Sequence, residues 1–514
     1  MKKLILFASI IIAFTSLSAQ DGITLHFMRL NPYSTYTSPS AHLQYKGYIG
    51  IPGISNINVG FINTGLKYNS IFETNANGEI TTINLKNVAN NLSPKNNILG
   101  TNISLNIIDF GFKTEPIRFS FSYRIRFDGY AFYSKDLFAL PAFGNMSYVG
   151  SNNPAKLDFQ LNMTSYQEFA LGMQFEINDR FYIGIRPKLL FGMAHVKSKQ
   201  INANLYTDPE DYTLRLNYNI DADMACAIPY TITLDSNGMD FNIQYNDFQK
   251  ILQNAFRNVG ASIDLGFTCR INNSFGVSAS VLDLGFIHWK TNCEHISGSI
   301  APSGTNTHYD NGDFIFNGLT DDEINQISDD PSAFTDMLLD YFPVTIEQQM
   351  GYTKALTSRF LVEGYYNLGK YHRFSALFHG RIINKQFLPS FTIAWNGNFL
   401  DIFDLCVSYT VSKKSYGNLG LGIGFNLKVF HLYMATDNII SLFNKKSIQR
   451  SLLNAPNANL QFGMVFDWGK LYENKLDNSF KIRSSKEKSS KDNKSKDKPS
   501  KKKTTSEEIN TENK

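Results

Sequence analysis

Arg118, Arg124 and Arg126 fall at even positions of one segment, and Arg186 and Lys188 do the same in another. Glu168 and Glu176 share that parity in a third segment. Side chains two residues apart on a strand share a face, so all seven could meet as a charge ladder lining one interior. In a pore such a ladder tunes which solutes pass. In a closed interior it only neutralises itself, since unpaired buried charge is costly. Both readings stand at this level. A second constellation is His288, Cys293 and His295, with His308 beyond. These residue types suit zinc, but the spacing matches no zinc pattern, and a solvated loop accounts for them. The acidic runs Asp321-Asp322-Glu323 and Asp329-Asp330 lack a twelve-residue calcium loop; charge at a helix N-terminus is the simpler account. The chain has no His-Glu-x-x-His, Gly-x-Ser-x-Gly or Walker-type loop. We therefore expect neither an enzyme nor a cofactor or metal site. Four cysteines allow three pairings. Cys226 and Cys293 could bridge two long loops in an oxidising envelope, or remain thiols. Cys269 shares an apolar face with Phe267 and Ile271, whereas Cys406 takes the opposite parity from Leu405 and Val407.

The elements that would carry these residues alternate with period two. Ile117, Phe119, Phe121, Tyr123, Ile125 and Phe127 interleave with Arg118, Ser120, Ser122, Arg124, Arg126 and Asp128. The pattern recurs at 166–177, 181–193, 259–271, 275–287 and 459–468. A soluble sandwich would bury the apolar face; a transmembrane barrel would turn it to lipid and keep a polar lumen. The barrel is preferred. Its strands run near the 9–11 residues that cross a bilayer, and a packed core would not hold three arginines cheaply. Short Asn/Asp turns also alternate with long connections, 128–165, 194–258 and 288–345, which would lie outside the cell. Fifteen strands can be read. A single-chain bacterial barrel has an even number, and 346–355 with 359–368 is the weakest pair. The expected fold is therefore an all-β, antiparallel transmembrane barrel of about fourteen strands with long extracellular loops. Short helices are expected in those loops, at 241–256 and after Thr320, packing them together or lidding the mouth.

Composition agrees. Charged residues are 18%, below the roughly 25% of soluble domains, and aromatics reach 14%. After residue 19 no apolar run is long enough for a membrane helix. The net charge of +4 is uneven: residues 481–514 hold 12 Lys/Arg against 6 Asp/Glu. Residues 1–19, with Lys2, Lys3, the run Leu4–Phe14 and the ending Leu17-Ser18-Ala19, read as a signal peptide. Residues 20–54 read as an N-terminal segment that could plug the lumen, 55–470 as the barrel, and 471–514 as a basic, disordered periplasmic tail. The tail could touch cell-wall acids or lipid headgroups, or simply be solvated; nucleic acid is not an expected partner.

Arg29-Leu30-Asn31-Pro32, Tyr48-Ile49-Gly50-Ile51-Pro52, Ser55-Asn56-Ile57 and Gly420-Leu421-Gly422-Ile423-Gly424-Phe425 through Asp437-Asn438 resemble an uncharacterised family of Bacteroidota outer-membrane barrels. That family is distantly similar to the long-chain fatty-acid transporter and the type IX secretion barrels. The resemblance implies fourteen strands with an N-terminal segment entering the lumen, and no activity. On the residues themselves, Gly420, Gly422 and Gly424 share one face, as close backbone approach requires; with Asn31 and Pro32 they are the candidate contact between plug and wall. The expected function is an outer-membrane barrel, set in lipid, that binds or passes a small hydrophobic or amphipathic solute. The alternative is a non-conducting barrel that docks envelope or secretion partners.

Overall fold

The computed structural model describes residues 22–470 apart from 75–79, 95–96, 211, 236–237, 244–246, 300–308, 311–312, 317–344, 384–385, 401, 413–414, 428 and 440–456. The leader, the tail and the helix expected after Thr320 lie outside the described residues. Fourteen strands close an antiparallel barrel. They are β1 (Tyr45–Gly50 continued by Ile57–Asn63), β2 (Asn97–Thr114), β3 (Ile117–Tyr133), β4 (Phe159–Glu176), β5 (Phe181–Thr207), β6 (Val259–Arg270) and β7 (Phe275–Trp289), then β8 (Tyr352–Ala355 continued by Arg359–Leu368), β9 (His372–Ile383), β10 (Gln386–Phe399), β11 (Phe403–Ser412), β12 (Ser415–Leu427), β13 (Phe430–Thr436) and β14 (Asn457–Lys470). Each pairs with the next, and closure is made where Ile57 faces Phe462 of β14 on one side and Leu105 of β2 on the other.

Two boundaries differ from the sequence reading. The first strand begins at Tyr45, because Tyr45–Gly50 already pairs with β14 and β2; its two glycines break the alternation that marks the other strands. The fifteenth strand dissolves. Thr345–Gln348 pairs with Cys293–Ser299 outside the barrel, and Tyr352–Ala355 lies against β7 in line with Arg359–Leu368. Of the expected helices, one covers Phe248–Arg257.

One barrel end carries short turns with a common device. Asn178 Oδ1 accepts from the backbone N–H groups of Arg180 and Phe181 at 2.8 and 2.9 Å. Asn272 Oδ1 does the same for Ser274 and Phe275, both at 2.8 Å. Such Asx turns fix a tight reversal. The other end carries the long loops, and β2–β5, at 17 to 27 residues, extend well past a bilayer there. The outer wall is aromatic in paired rows: Tyr123 stacks on Phe169 at 4.4 Å, and Phe110 and Phe121 lie 5.5 Å apart. Such pairs are the sheet's own source of lateral stabilisation. The apolar outward face, the closed sheet without edges and the polar interior together identify an outer-membrane barrel.

Candidate functional site: a filled lumen

A fourteen-stranded barrel is wider than the eight-stranded one that wall side chains just fill. Here the chain ahead of β1 fills part of the space. Residues 22–44 run inside the wall as a short helix, Ile23–His26, and a 3₁₀ turn, Pro32–Tyr36. Asn31 caps that turn by accepting from the Tyr33 N–H at 2.9 Å, and Pro32 occupies its first position, where no N–H is needed. Polar contacts spread around the wall. The Asp437 carboxylate accepts from the Ile23 and Thr24 N–H groups at 3.1 and 2.7 Å. Thr24 meets Ser408 of β11 at 2.8 Å, His26 meets Glu363 of β8 at 3.3 Å, and Arg29 donates to Asn396 of β10 at 3.0 Å. Tyr33 donates to Asp109 of β2 at 2.7 Å, and Ser40 meets Thr268 of β6 at 2.7 Å. Gln174 of β4 donates to the Ser40 carbonyl at 3.1 Å.

The glycines provide the closest approach. A Cβ at Gly420 would overlap Thr24 Oγ1, and one at Gly422 would lie 2.6 Å from Met28 Sδ. Gly424 also faces Met28 and the buried His431 ring. Gly184 and Gly266, which the sequence reading did not single out, perform the same service at Pro39 and Ser40.

The seven ladder residues do not form one ladder. Arg124, Arg126, Lys188 and Glu168 converge: Glu168 pairs with Arg124, with Arg126 at 3.2 Å and with Lys188 at 3.6 Å. Arg118 instead donates to the Tyr45 and Leu43 carbonyls at 2.7 and 3.3 Å. Arg186 packs 4.3 Å from the Tyr36 ring centre, and Arg124 packs 4.1 Å from the same ring, a double cation–π contact to the plug. Glu176 sits at the short-turn end with Lys113 at 2.9 Å and His42 at 3.5 Å. Three residues complete the central cluster that sequence reasoning missed: Asp264, Asp283 and Arg359. Lys188 reaches Asp264 and Asp283, each at 2.7 Å; Arg126 reaches Asp283 at 2.9 Å and Arg359 does so at 2.8 Å. Asp128, 3.6 Å from Arg126, brings the cluster to four cations and four carboxylates. All are buried or largely so, and a balanced set is what burial demands.

Towards the long-loop end the walls themselves meet. Ile62, Ile98, Tyr130 and Phe132 of β1–β3 pack with Ile383 and Leu388 of β9 and β10 in one apolar cluster. The Arg381 guanidinium donates to the Tyr130 hydroxyl at 2.6 Å. β3 and β9 lie six strands apart, so this contact spans the lumen. Among the described residues, the cavities around the plug and cluster measure only about 60, 20, 60 and 20 Å³, far below the 300–1,000 Å³ of ordinary ligand sites.

The zinc-type residues separate. His288 pairs with Thr353 at 2.9 Å, and His308 lies outside the described residues. His295 joins Asp223 at 3.1 Å on the outer hairpin, beside Asp221. Lys199 Nζ stands 3.2 Å from Asp221 and 3.1 Å from Asp223, filling the place a cation would take.

The Cys226–Cys293 bridge is corrected: all four cysteines are thiols. Cys293 is in register with Ala225, so Cys226, one residue on, points to the opposite face of that sheet. Burial, followed by the nearby Asp223 and Glu294 charges, pushes the Cys293 thiol up to about 11. At pH 8 only ~1 in 1,000 of these thiols is ionised, and the thiolate is the reactive form. Iodoacetamide at pH 8 is therefore expected to leave Cys293 unmodified in the folded protein and to label it after denaturation, as read by peptide mass. Fast labelling of the folded form would contradict this environment.

The sequence profile of the family of unknown function DUF5723 matches residues 39–437. No curated protein matches the chain. Among solved structures, a FadL homologue of Pseudomonas aeruginosa aligns at 8% identity over 88% of this chain and 99% of its own, with a TM-score of 0.39. The P. putida toluene transporter TodX aligns at 8% identity over 89% and 96%, with a TM-score of 0.34. The translocator domain of the autotransporter NalP from Neisseria meningitidis aligns at 7% over 85% and 93%, at 0.30.

Proposed function

This chain belongs to the DUF5723 family, and we propose that it is a gated outer-membrane barrel that binds or passes a small hydrophobic or amphipathic solute. One observation carries the reading: the lumen is closed at two levels, by a plug and a constriction whose apolar clusters are separate. The inner barrier is residues 22–44, held by hydrogen bonds to seven strands, by a cation–π contact to an eighth, and by the packing of Ile23, Leu25, Phe27 and Met28 against the wall. Each such bond contributes about 1 kcal/mol net, and each can be exchanged for water. The outer barrier is the apolar contact of β1–β3 with β9 and β10. An apolar constriction excludes ions and water-bound solutes by dewetting and admits apolar surfaces, which is the basis for the solute class.

The test is selectivity. Proteoliposomes carrying the chain without residues 22–44 are expected to take up phenyl β-D-glucoside, an uncharged aromatic glycoside, severalfold faster than sucrose. Phe132→Ser, which makes the constriction polar, is expected to erase that preference. Sucrose entering as fast through the native constriction would overturn the solute class. No uptake of either probe in both variants would overturn transport and leave the barrel as a docking component.

A further inference from the structure

Among the described residues, a groove of about 750 Å³ lies on the outer wall, away from the lumen, across β7–β11. Its shape follows from the register. Outward positions of neighbouring strands form rows, and one row reads Val277, Gly364, Ala376, Ile393, Tyr409. The row nearer the short turns reads Phe275, Tyr366, Phe374, Trp395, Val407. Two adjacent positions, Gly364 and Ala376, thus bear almost no side chain while rings stand beside them. A Cβ added at Gly364 would meet nothing within 4 Å. The result is a pit in an otherwise aromatic belt.

The geometry points to a glycerophospholipid site, with one acyl chain lying in the pit and the phosphate at the short-turn rim. Three observations select that occupant. The pit lies in the membrane-facing belt, where the surrounding solvent is lipid hydrocarbon. Tyr366 is three residues from Gly369, so the pit opens within about 10 Å of the turn at 369–371, the depth of the first methylenes below a headgroup. That rim is basic: Lys370 stands in the turn, its Nζ 5.5 Å from the Tyr371 ring, and Arg180 donates to the carbonyl of Ile271, a pit residue, at 2.7 Å. Basic side chains at an interface favour an anionic headgroup. The site is independent of what the lumen carries.

Trp395 lines the pit and serves as reporter. The other two tryptophans are Trp289, sealed inside the barrel, and Trp468, exposed on the outer wall. In Trp468→Phe protein reconstituted in phosphatidylcholine, dibrominated phosphatidylglycerol is expected to quench Trp395 at about fivefold lower mole fraction than dibrominated phosphatidylcholine. Gly364→Leu, an outward apolar substitution that leaves the urea midpoint unchanged, is expected to bring both curves to random mixing. Lys370→Gln is expected to remove the difference between lipids. Coincident curves in the parent protein would overturn the proposal. So would a dimer in sedimentation that Gly364→Leu abolishes, because the pit would then receive a second copy of the chain.

Discussion

Replacing Asp283 by alanine is expected to lower stability by about 3–5 kcal/mol, the cost of leaving buried cations without their partner. Asp283 accepts from Arg126, Lys188 and Arg359 at 2.9, 2.7 and 2.8 Å, and its side chain is almost wholly buried. Only Glu168 and Asp264 would remain to serve Lys188, and Arg359 would lose the ion pair that ties β8 to β7. Asp283→Asn keeps an acceptor oxygen without the charge and is expected to cost less. Lys188→Met with Asp283→Leu, which removes charge of both signs, is expected to recover part of the loss, since a buried pair is often replaceable by apolar groups. The measurement is the urea midpoint of the barrel in bilayers, followed by heat-modifiable electrophoretic mobility. A shift in the Asp283→Ala variant of under 1 kcal/mol would mean that the cluster is hydrated and screened.

Asp283 also shows where sequence reasoning stopped. The strands were legible because lipid on one side and a polar interior on the other impose strict alternation: each of the fourteen overlaps a segment read from that pattern, although β1 starts at Tyr45 rather than at 55 and β5 runs to Thr207 rather than to 193. The exceptions are bulges. Between Ile263 and Leu265 the β6–β7 register shifts, and Asp283 takes φ 56°. Leu282 and Asp283 both turn inward as a result. Strict parity assigns Asp283 to the lipid face, so the acid that binds three cations was not a candidate. The β2–β3 register shifts likewise between Asn106 and Ile108, which turns Asp109 inward to accept from Tyr33 and Ser55 at 2.7 and 2.5 Å. A bulge adds one residue and reverses parity beyond it, and nothing in local composition marked these two. Asp264 is different. It shares parity with Ser262 and Thr268, so the polar face of its strand already contained it. Arg118 and Glu176 were placed on the correct face, but parity fixes neither height along the strand nor which partner stands opposite. The glycine face at Gly420, Gly422 and Gly424 was legible because three glycines on one side of a strand leave room that something must occupy.

The two barriers make the second large prediction. Each spans the lumen by itself, so they act in series, and removing one leaves the other closed. Deleting residues 22–44 is expected to leave planar bilayers almost silent, because Ile62, Ile98, Tyr130 and Phe132 still meet Ile383 and Leu388. Tyr130→Ala with Phe132→Ala is expected to do little alone, because the plug still holds its contacts with Asp109, Glu363, Ser408 and Asp437. Combining the two should leave a lumen whose wall is polar and charged, and conductance should rise by on the order of tenfold or more over either parent, as open barrels of comparable size form aqueous channels. The deletion ends before β1, so it leaves the pairing of Tyr45–Gly50 with β14 and β2 intact; heat-modifiable mobility reports whether each variant is folded.

The most direct measurement is therefore single-channel recording of four folded proteins: the full chain, the plug deletion, the constriction variant and their combination. Two barriers in series predict stepwise conductance in the combination alone, at least tenfold above the other three. Equal silence in all four, or full conductance on losing either barrier by itself, would contradict it.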